Sequence, residues 1–196
     1  MTGPLEGVRV LEVANWLAAP STAALMADMG ADVVKVEPPG GDSYRHFDFR
    51  AAGYDYEFAT NYAFELDNRG KRSITVAMDR PGGPGLVRRL AQDVDVFITN
   101  LLPERRKRYE LTFDQVRAVN PRVVYGSFSG YGMVGPDANR PGFDYAAFWV
   151  RTGIMSLMGA AGTPPALCRG GPTGGRSASP HEGCAELRHH LERTRL

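Results

Sequence analysis

The sequence predicts an α/β protein with a Rossmann-like, doubly wound parallel sheet. Short apolar runs alternate with segments of helical character along the chain, a pattern typical of parallel α/β folds. The first of these runs, Val8–Val13, is nearly continuous in β-branched residues and leucine, which indicates a buried strand. The repeated order of strand, helix and strand favours right-handed crossover connections.

Five strands and three helices are predicted with defined bounds. The strands take the apolar runs, and the helices take the segments between them. In chain order the elements are strand 8–13, helix 20–29, strand 32–37, strand 73–76, helix 83–92, strand 95–99, helix 113–119 and strand 121–128.

Glycine and proline set the clearest of these bounds. Pro20 stands where the first helix opens, and Gly30 follows its end as a C-cap glycine does. The Pro-Pro-Gly-Gly run at 38–41 stops the second strand. Residues 42–68 are aromatic and irregular, and the sequence assigns no element to them.

The character of the chain changes near its C-terminus. Apolar residues are dense enough over 142–158 to predict a buried helix. We therefore predict a Rossmann-like domain over 1–160 and a Gly/Pro-rich loop with an irregular tail over 161–196. The tail holds three of the four histidines, but the adjacent His189 and His190 would face different sides of a helix, so no metal site is predicted.

Bulk composition narrows the class of protein. A net charge of +1 gives no reason to expect nucleic acid or an anionic membrane as partner. Two cysteines cannot form a disulfide framework, and no stretch reaches the ~20 apolar residues that a membrane-spanning helix needs. The first residues lack the basic start of a signal peptide. These observations predict a cytoplasmic protein.

Common nucleotide-binding and hydrolase motifs are absent from the sequence. No G-x-G-x-x-G follows the first strand, which weakens an NAD-binding interpretation that topology alone would allow. In parallel sheets ligands bind at the carboxyl ends of the strands. Each residue there could equally be an ordinary loop or cap residue. The candidates by location are Asn15, Trp16, Leu17, Pro38, Asn100 and Leu101.

Two basic clusters lie beside predicted strands. Residues 68–72 read NRGKR before one strand, and residues 105–108 read RRKR after another. Several cations near strand ends suit a phosphate-bearing ligand, because guanidinium groups bind phosphate bidentately. The alternative is a solvated charged face, which is the more common fate of Lys and Arg.

An ordered series of short motifs runs through the chain. They are PLEGVRVLE at 4–12, MADMGADVVKVEP at 26–38, NRGKRS at 68–73, NLLP at 100–103, NPRVVY at 120–125, SGYG at 129–132 and RPGFD at 140–144. Together they resemble the opening of family III CoA-transferases, the CaiB/BaiF group that includes formyl-CoA transferase. The related alpha-methylacyl-CoA racemases share the fold of this family.

The resemblance implies a Rossmann-like domain that binds coenzyme A and an interlocked homodimer. Family members transfer CoA between an acyl-CoA and a small carboxylic acid through an acyl-enzyme aspartate, without a metal. A carboxylate that attacks the thioester gives a mixed anhydride, which divides one difficult transfer into easier steps. Backbone N–H donors would stabilise the charge that develops in the transition state.

The resemblance also implies roles for residues near the carboxyl edge. Trp16 and Leu17 match the loop that lines the thioester end of CoA. Asn100 matches the asparagine of the family's NFxPG turn, in which Leu101 here replaces phenylalanine and Glu104 replaces glycine.

Further positions match the ends of the ligand. Arg108 stands where relatives hold a CoA phosphate, Val76 aligns beside the adenine, and Arg80 supplies a nearby cation. Asp144 matches an auxiliary acidic position of the active site. Phe143 stands where the racemases carry their histidine acid/base, which favours the transferase branch.

The nucleophilic aspartate of the family has no counterpart here. Gly174 lies at its expected position, and no aspartate follows Asp144. The resemblance ceases near residue 171, so we expect that the second domain is missing, as a frameshift or truncated gene would explain. We expect the chain to be inactive alone. The alternatives are a non-catalytic CoA- or acyl-CoA-binding module, a racemase-like isomerase, or a product without function.

Overall fold

A computed structural model of the chain describes residues 3–47, 60–143 and 145–153. The regular elements are β1 (Arg9–Val13), α1 (Ala18–Asp28), β2 (Asp32–Glu37), α2 (Tyr62–Asn68), β3 (Arg72–Thr75), α3 (Gly83–Leu90), β4 (Val96–Thr99), α4 (Pro103–Arg108), α5 (Phe113–Val119) and β5 (Val124–Ser127). Short 3₁₀ turns cover Ser43–His46 and Ala91–Asp93, and a π-helical turn covers Tyr145–Val150. Over these ranges, none of the helices has the length and apolar content to span a bilayer.

The strands form one parallel sheet in the order β3-β2-β1-β4-β5. The chain builds outward from β1 in one direction as far as β3, and then returns to continue from β4 on the other side of β1. This reversal places a topological switch point between β1 and β4. The predicted doubly wound, Rossmann-like α/β fold is confirmed.

Helices cover both faces of the sheet. On one face α1 packs through Ala19 and Ala23, which are fully buried against the sheet with Val10 and Ile98. Such small side chains let a helix lie close to the strands. On the other face α3 and α5 pack through Val87 and Val116, in a core that contains the stacked rings of Phe97 and Tyr125. The near-continuous apolar strands are therefore explained by burial on both sides.

Most predicted elements lie where the patterns place them. β2 and α5 have the predicted bounds, and Gly30 closes α1 with a left-handed φ of 99°. Two helices were not predicted: α2, which lies in the unassigned segment 42–68, and α4. The last strand is shorter than predicted because the backbone first turns through a hydrogen bond of 3.2 Å from Val123 to Asn120.

The predicted buried helix over 142–158 is wrong in the part that the structure describes. Only the π-helical turn Tyr145–Val150 is present there, with Phe148 40% and Val150 60% exposed. Apolar density favours burial only where another element covers the segment, and no element of the described chain covers these two side chains. Residues 154–158 and the tail 161–196 lie outside the described residues.

Candidate functional site

The loops that follow β1 and β4 meet at the switch point. The backbone N–H of Asn15 donates to Asn100 Oδ1 at 3.1 Å, and Asn100 Nδ2 donates to the carbonyl of Asn15 at 2.6 Å. The side-chain amide of Asn100 thus binds both the backbone N–H and the backbone carbonyl of Asn15 in the opposite loop. The two loops are held in a fixed relation at the edge where ligands of such sheets bind.

The two hydrogen bonds between Asn15 and Asn100 are here named the clamp. Trp16, the residue after Asn15, has an unusual backbone conformation. Its φ is 68°, and only Glu110 shares a positive φ among the other non-glycine residues that the structure describes. A bulky residue in this region costs about 1–3 kcal/mol and persists only where its surroundings fix it. Here the Trp16 N–H donates to Asp42 Oδ1 at 3.2 Å, which supplies such a constraint.

Asp42 is fully buried and its two carboxylate oxygens have different partners. Oδ1 accepts from the N–H groups of Trp16 and of Tyr44, the latter at 2.9 Å. Oδ2 forms an ion pair with Lys35 Nζ at 2.9 Å. The Asp42 N–H donates to Glu37 Oε2 at 2.9 Å. This one aspartate therefore joins the end of β2, the 3₁₀ turn and the loop after β1.

Glu12, Lys35, Asp42 and Lys71 form a buried ion cluster beneath these loops. Lys35 Nζ lies 2.7 Å from Glu12 Oε1 and donates to the carbonyl of Ala14 at 2.9 Å. Lys71 Nζ lies 2.7 Å from Glu12 Oε2. Two ammonium groups thus balance two carboxylates. Buried charges are tolerated when they are paired, and here even the two oxygens without a hydrogen bond, Glu12 Oε2 and Asp42 Oδ2, each have an ammonium as ion-pair partner.

Lys71 connects the cluster to the helices on one face of the sheet. Its ammonium donates to the carbonyls of Pro20 and Asp67, at 2.8 and 2.7 Å, and to Asn68 Oδ1 at 3.0 Å. Burial lowers the pKa of Lys71 to about 8, although the carboxylate of Glu12 favours its charged form. The first turn of α1 and the end of α2 are thereby fixed against the site.

Glu37 ends β2 and supports Asp42 from the other side. It accepts hydrogen bonds from the Arg45 guanidinium at 2.7 Å, from Ser73 Oγ at 2.7 Å and from the Asp42 N–H. Burial acts to raise the pKa of Glu37, but these donors, Arg45 first, lower it to about 2. Glu37 is therefore an anion at neutral pH.

Aromatic rings surround the Trp16 indole. Their centroids lie 5.7 Å away for Tyr44, 6.1 Å for Phe47 and 5.2 Å for Phe143. The segment with Phe143 is brought in by a glycine contact, since a Cβ on Gly130 would lie 2.7 Å from the Cα of Gly142. Two motifs on either side of a short connection, SGYG at 129–132 and RPGFD at 140–144, therefore pack together beside the switch point.

The basic cluster at 105–108 contains two kinds of arginine. Arg106 is 3% exposed and donates to the carbonyls of Leu101 and Phe128 and to Ser127 Oγ at 2.6 Å. It fixes the carboxyl ends of β4 and β5 and is not available to a ligand. Arg108, at the end of α4, is exposed, with its guanidinium 5.9 Å from the ring centre of Tyr109.

The basic cluster at 68–72 does not suit a phosphate. Each of its three cations already has an acidic partner. Lys71 pairs with Glu12 in the ion cluster, Arg69 pairs with Asp28, and Arg72 pairs with Asp32 at 2.6 Å. The last pair joins the starts of β3 and β2, at the amino edge of the sheet and opposite the switch point. The phosphate interpretation of the second cluster, at residues 105–108, stays a prediction.

The remaining predicted site residues lie at two other places. Val76 and Arg80 follow β3, two strand spacings or about 10 Å from β1. Val76 is buried in the core and Arg80 is exposed, so their roles beside a ligand stay predictions. Asp144 and Gly174 lie outside the described residues. Across the described ranges, no group of three or more His, Cys, Asp or Glu side chains is placed to hold a metal ion.

The sequence predicted that Asn15, Trp16 and Asn100 lie together at the carboxyl edge of the sheet. It did not predict the charged residues beneath them. Glu12 and Lys35 each stand between two apolar neighbours in a strand, and the sheet register pairs them directly. A charge at the same depth in two apolar strands was the available signal. Asp42 had no such signal, because it lies in a segment without an assigned element.

Comparison with known proteins agrees with this geometry. The model of CoA-transferase family III matches residues 5–173. A succinate–glutarate CoA-transferase of Agrobacterium fabrum is 41% identical over 163 residues, which are 80% of this chain and 39% of that protein. An (R)-2-hydroxy-4-methylpentanoate CoA-transferase of Clostridioides difficile is 34% identical over 164 residues, 83% of this chain and 40% of that protein.

Solved structures show the same relationship. A CaiB/BaiF family protein from Brucella suis superimposes with a TM-score of 0.81 at 32% identity, over 98% of this chain and 50% of that one. A hypothetical protein from Mycobacterium tuberculosis superimposes equally well, at 28% identity over 98% of this chain and 52% of that one. The chain thus spans about two fifths of the curated relatives and half of the solved chains.

Proposed function

We propose that this chain, which belongs to CoA-transferase family III, binds the coenzyme A part of an acyl-CoA at the carboxyl edge of its sheet. The observation that carries the proposal is the clamp between Asn15 and Asn100. It fixes the loop between β1 and α1, residues 14–17 and here named the Trp16 loop, at the switch point. Ligands of doubly wound sheets bind at this position. Trp16 and Leu17 would line the thioester end, beside the turn of Asn100 and Leu101.

The phosphate-bearing end of the ligand has a separate set of contacts in this proposal. Arg108 is exposed on the carboxyl side of β4 and would bind a phosphate. Arg80 would supply a second cation near the adenine, beside the loop that begins at Val76. These two places lie on opposite sides of the switch point, so the ligand would cross the edge of the sheet.

The reaction proposed for the whole protein is transfer of CoA from an acyl-CoA to a small carboxylic acid. That chemistry needs a carboxylate that attacks the thioester carbon and accepts the acyl group as CoA thiolate leaves. Gly174 cannot supply it, and the sequence contains no aspartate after Asp144. We therefore propose that this chain holds and orients acyl-CoA but does not turn it over alone, with Asp144 an auxiliary acid.

A racemase-like function is less well supported. Exchange of an α-proton needs a titratable group at the thioester end. Phe143, at the position of the racemase histidine, instead packs edge-on against the Trp16 indole. We further propose a homodimer, which the family implies, and a cytoplasmic location, which the composition of the sequence predicts.

Isothermal titration of the purified chain tests the proposal. CoA should bind in the micromolar range. NAD should not bind, because this chain has no glycine-rich G-x-G-x-x-G turn after β1. Arg108→Ala should weaken CoA binding about tenfold, since a charged hydrogen bond to phosphate is lost. The matched control is Arg122→Ala, which removes an exposed arginine at the start of β5, on the opposite edge of the sheet.

Equal losses in the two variants would contradict the assigned phosphate site. Absence of CoA binding by the wild-type chain would contradict the proposed function as a whole. A transferase assay on the same sample should give no product. Turnover at the rate of a full-length relative would contradict the proposal that Gly174 stands in place of the nucleophilic aspartate.

A further inference from the structure

The Trp16 peptide is held in a strained conformation by a residue that no sequence pattern assigns to the site. At a φ of 68° the Trp16 backbone needs outside support, and the peptide group between Asn15 and Trp16 has it at both its carbonyl and its N–H. Asn100 binds the polar groups of Asn15, and Asp42 accepts the Trp16 N–H at 3.2 Å. Without Asp42, the second of these supports is lost.

Asp42 can do this only while its carboxylate keeps one orientation. Lys35 determines that orientation, because its ammonium lies 2.9 Å from Asp42 Oδ2 and leaves Oδ1 facing the backbone N–H groups. Lys35 is itself immobilised by Glu12 at 2.7 Å and by the carbonyl of Ala14 at 2.9 Å. A rigid path of contacts therefore runs from the centre of the sheet to the Trp16 loop.

We propose that Asp42 and Lys35 are positioning residues that hold the Trp16 loop in the conformation that receives the thioester end of acyl-CoA. This inference rests on the proposed function and deepens it. Neither residue touches the ligand, since Asp42 is fully buried and Lys35 is 1% exposed. Their effect passes through the loop after β1 and the Tyr44 turn that packs on the Trp16 ring, so it is confined to one end of the ligand.

A carboxylate is required because one side of the group faces an ammonium and the other side faces two backbone N–H donors. The backbone N–H groups donate to one oxygen of Asp42, and the Lys35 ammonium faces the other. An asparagine has the same shape but only one oxygen, so its NH₂ must face either the ammonium or the N–H groups. The near-isosteric Asp42→Asn therefore separates the positioning role from simple loss of volume.

The test compares two ligands on each variant. Acetyl-CoA reaches the Trp16 loop, whereas 3′-phospho-ADP carries only the nucleotide end. Asp42→Asn should weaken acetyl-CoA binding about tenfold and change 3′-phospho-ADP binding by less than about twofold. The control is Asp67→Asn, which alters another buried aspartate, one that accepts from Ser21 Oγ at 2.6 Å, whereas the Trp16 N–H donates to Asp42. It should leave the ratio of the two affinities unchanged.

A second variant restores the acceptor. In Lys35→Met/Asp42→Asn the ammonium is gone, so the asparagine oxygen is free to face the backbone N–H groups, and Glu12 keeps its ion pair with Lys71. Acetyl-CoA affinity should recover to within about threefold of wild type. If Asp42→Asn does not fold, the double variant alone tests the proposal. Binding of acetyl-CoA by the double variant supports the positioning role. A double variant that folds but does not bind acetyl-CoA overturns that role.

Two further outcomes are decisive. If Asp42→Asn weakens both ligands equally, the positioning role is wrong while the proposed function stands; if wild type binds neither ligand, both fail. In the wild-type chain the Trp16 amide should also show slow hydrogen exchange by NMR, as a hydrogen bond to a buried carboxylate requires. Rapid exchange at Trp16 would overturn the inference irrespective of how the variants fold.

Discussion

Two sets of ion pairs in this protein have the same geometry and opposite surroundings. In the buried ion cluster, Lys35 and Glu12 lie 2.7 Å apart, and their side chains are 1% and 0% exposed. At the amino edge of the sheet, Arg72 and Asp32 lie 2.6 Å apart, but they are 68% and 49% exposed. Distance therefore does not distinguish the two pairs, whereas access to water does.

The difference shows what each set contributes. Water screens the exposed pair and solvates either partner if the other is removed, so the pair adds little to stability. In the buried cluster no water replaces a lost partner, and removal of one group leaves the others as uncompensated charges. Only the buried cluster can fix a loop, because its members have no alternative arrangement of low free energy.

The largest expected effect is on Glu12, which pairs with both Lys35 and Lys71. Glu12→Gln keeps the shape but leaves two buried ammonium groups with Asp42 as their remaining carboxylate in the cluster. We expect the free energy of unfolding to fall by about 3–5 kcal/mol, measured by urea denaturation. Glu6→Gln, at an exposed glutamate, is the control and should change it by less than about 0.5 kcal/mol. A loss for Glu12→Gln as small as that of the control would contradict the argument.

A half-exposed pair should give an intermediate effect that depends on pH. Arg45 is 38% exposed and binds Glu37, which is 3% exposed and has a pKa of about 2 in the folded state, against 4.5 as the ordinary value. Since the folded pKa is the lower one, the contribution of this carboxylate is complete above about pH 4.5. It is lost as the pH falls towards 2.

Arg45→Met tests this dependence, because removal of the guanidinium raises the pKa of Glu37. The free energy of unfolding of the variant should lie about 1–2 kcal/mol below wild type at pH 7. The two curves should converge as the pH falls from about 4.5 to 2. A difference that stays constant over this range would show that Arg45 contributes through its packing on Phe64 and not through Glu37.

The smallest expected effect is on the exposed pair. Asp32→Asn removes the carboxylate beside Arg72 but leaves the guanidinium in water. The free energy of unfolding should fall by less than about 1 kcal/mol, and added salt should shrink even this difference. A loss comparable to that of Glu12→Gln would mean that burial is not the variable that separates the two sets.

The fold could be predicted largely from local pattern. Strand β2 and helix α5 have the predicted bounds because an apolar run and a helical spacing are properties of neighbouring residues. Helix α4 was missed because its residues after Pro103 are all charged and carry no apolar period. The segment 142–158 was predicted as buried because density of apolar residues does not reveal what covers them.

The candidate site likewise has features that the sequence predicts and features that it does not. Asn15, Trp16 and Asn100 could be placed together from the sequence, because parallel strands bring their carboxyl ends to one edge. The positive φ of Trp16 and the role of Asp42 could not, since a hydrogen bond across 26 residues has no local signature. Arg106 was likewise grouped with phosphate-binding arginines until its burial against Ser127 was known.

The sequence by itself therefore determined the parallel α/β class, the order of most elements and the family, all of which depend on residue types at short or ordered spacings. Only the tertiary structure decided which charges are buried, which pairs they form and which backbone they hold. Burial is a property of the assembled layers, and the free energy of a charge depends on the water around it more than on its neighbours in sequence.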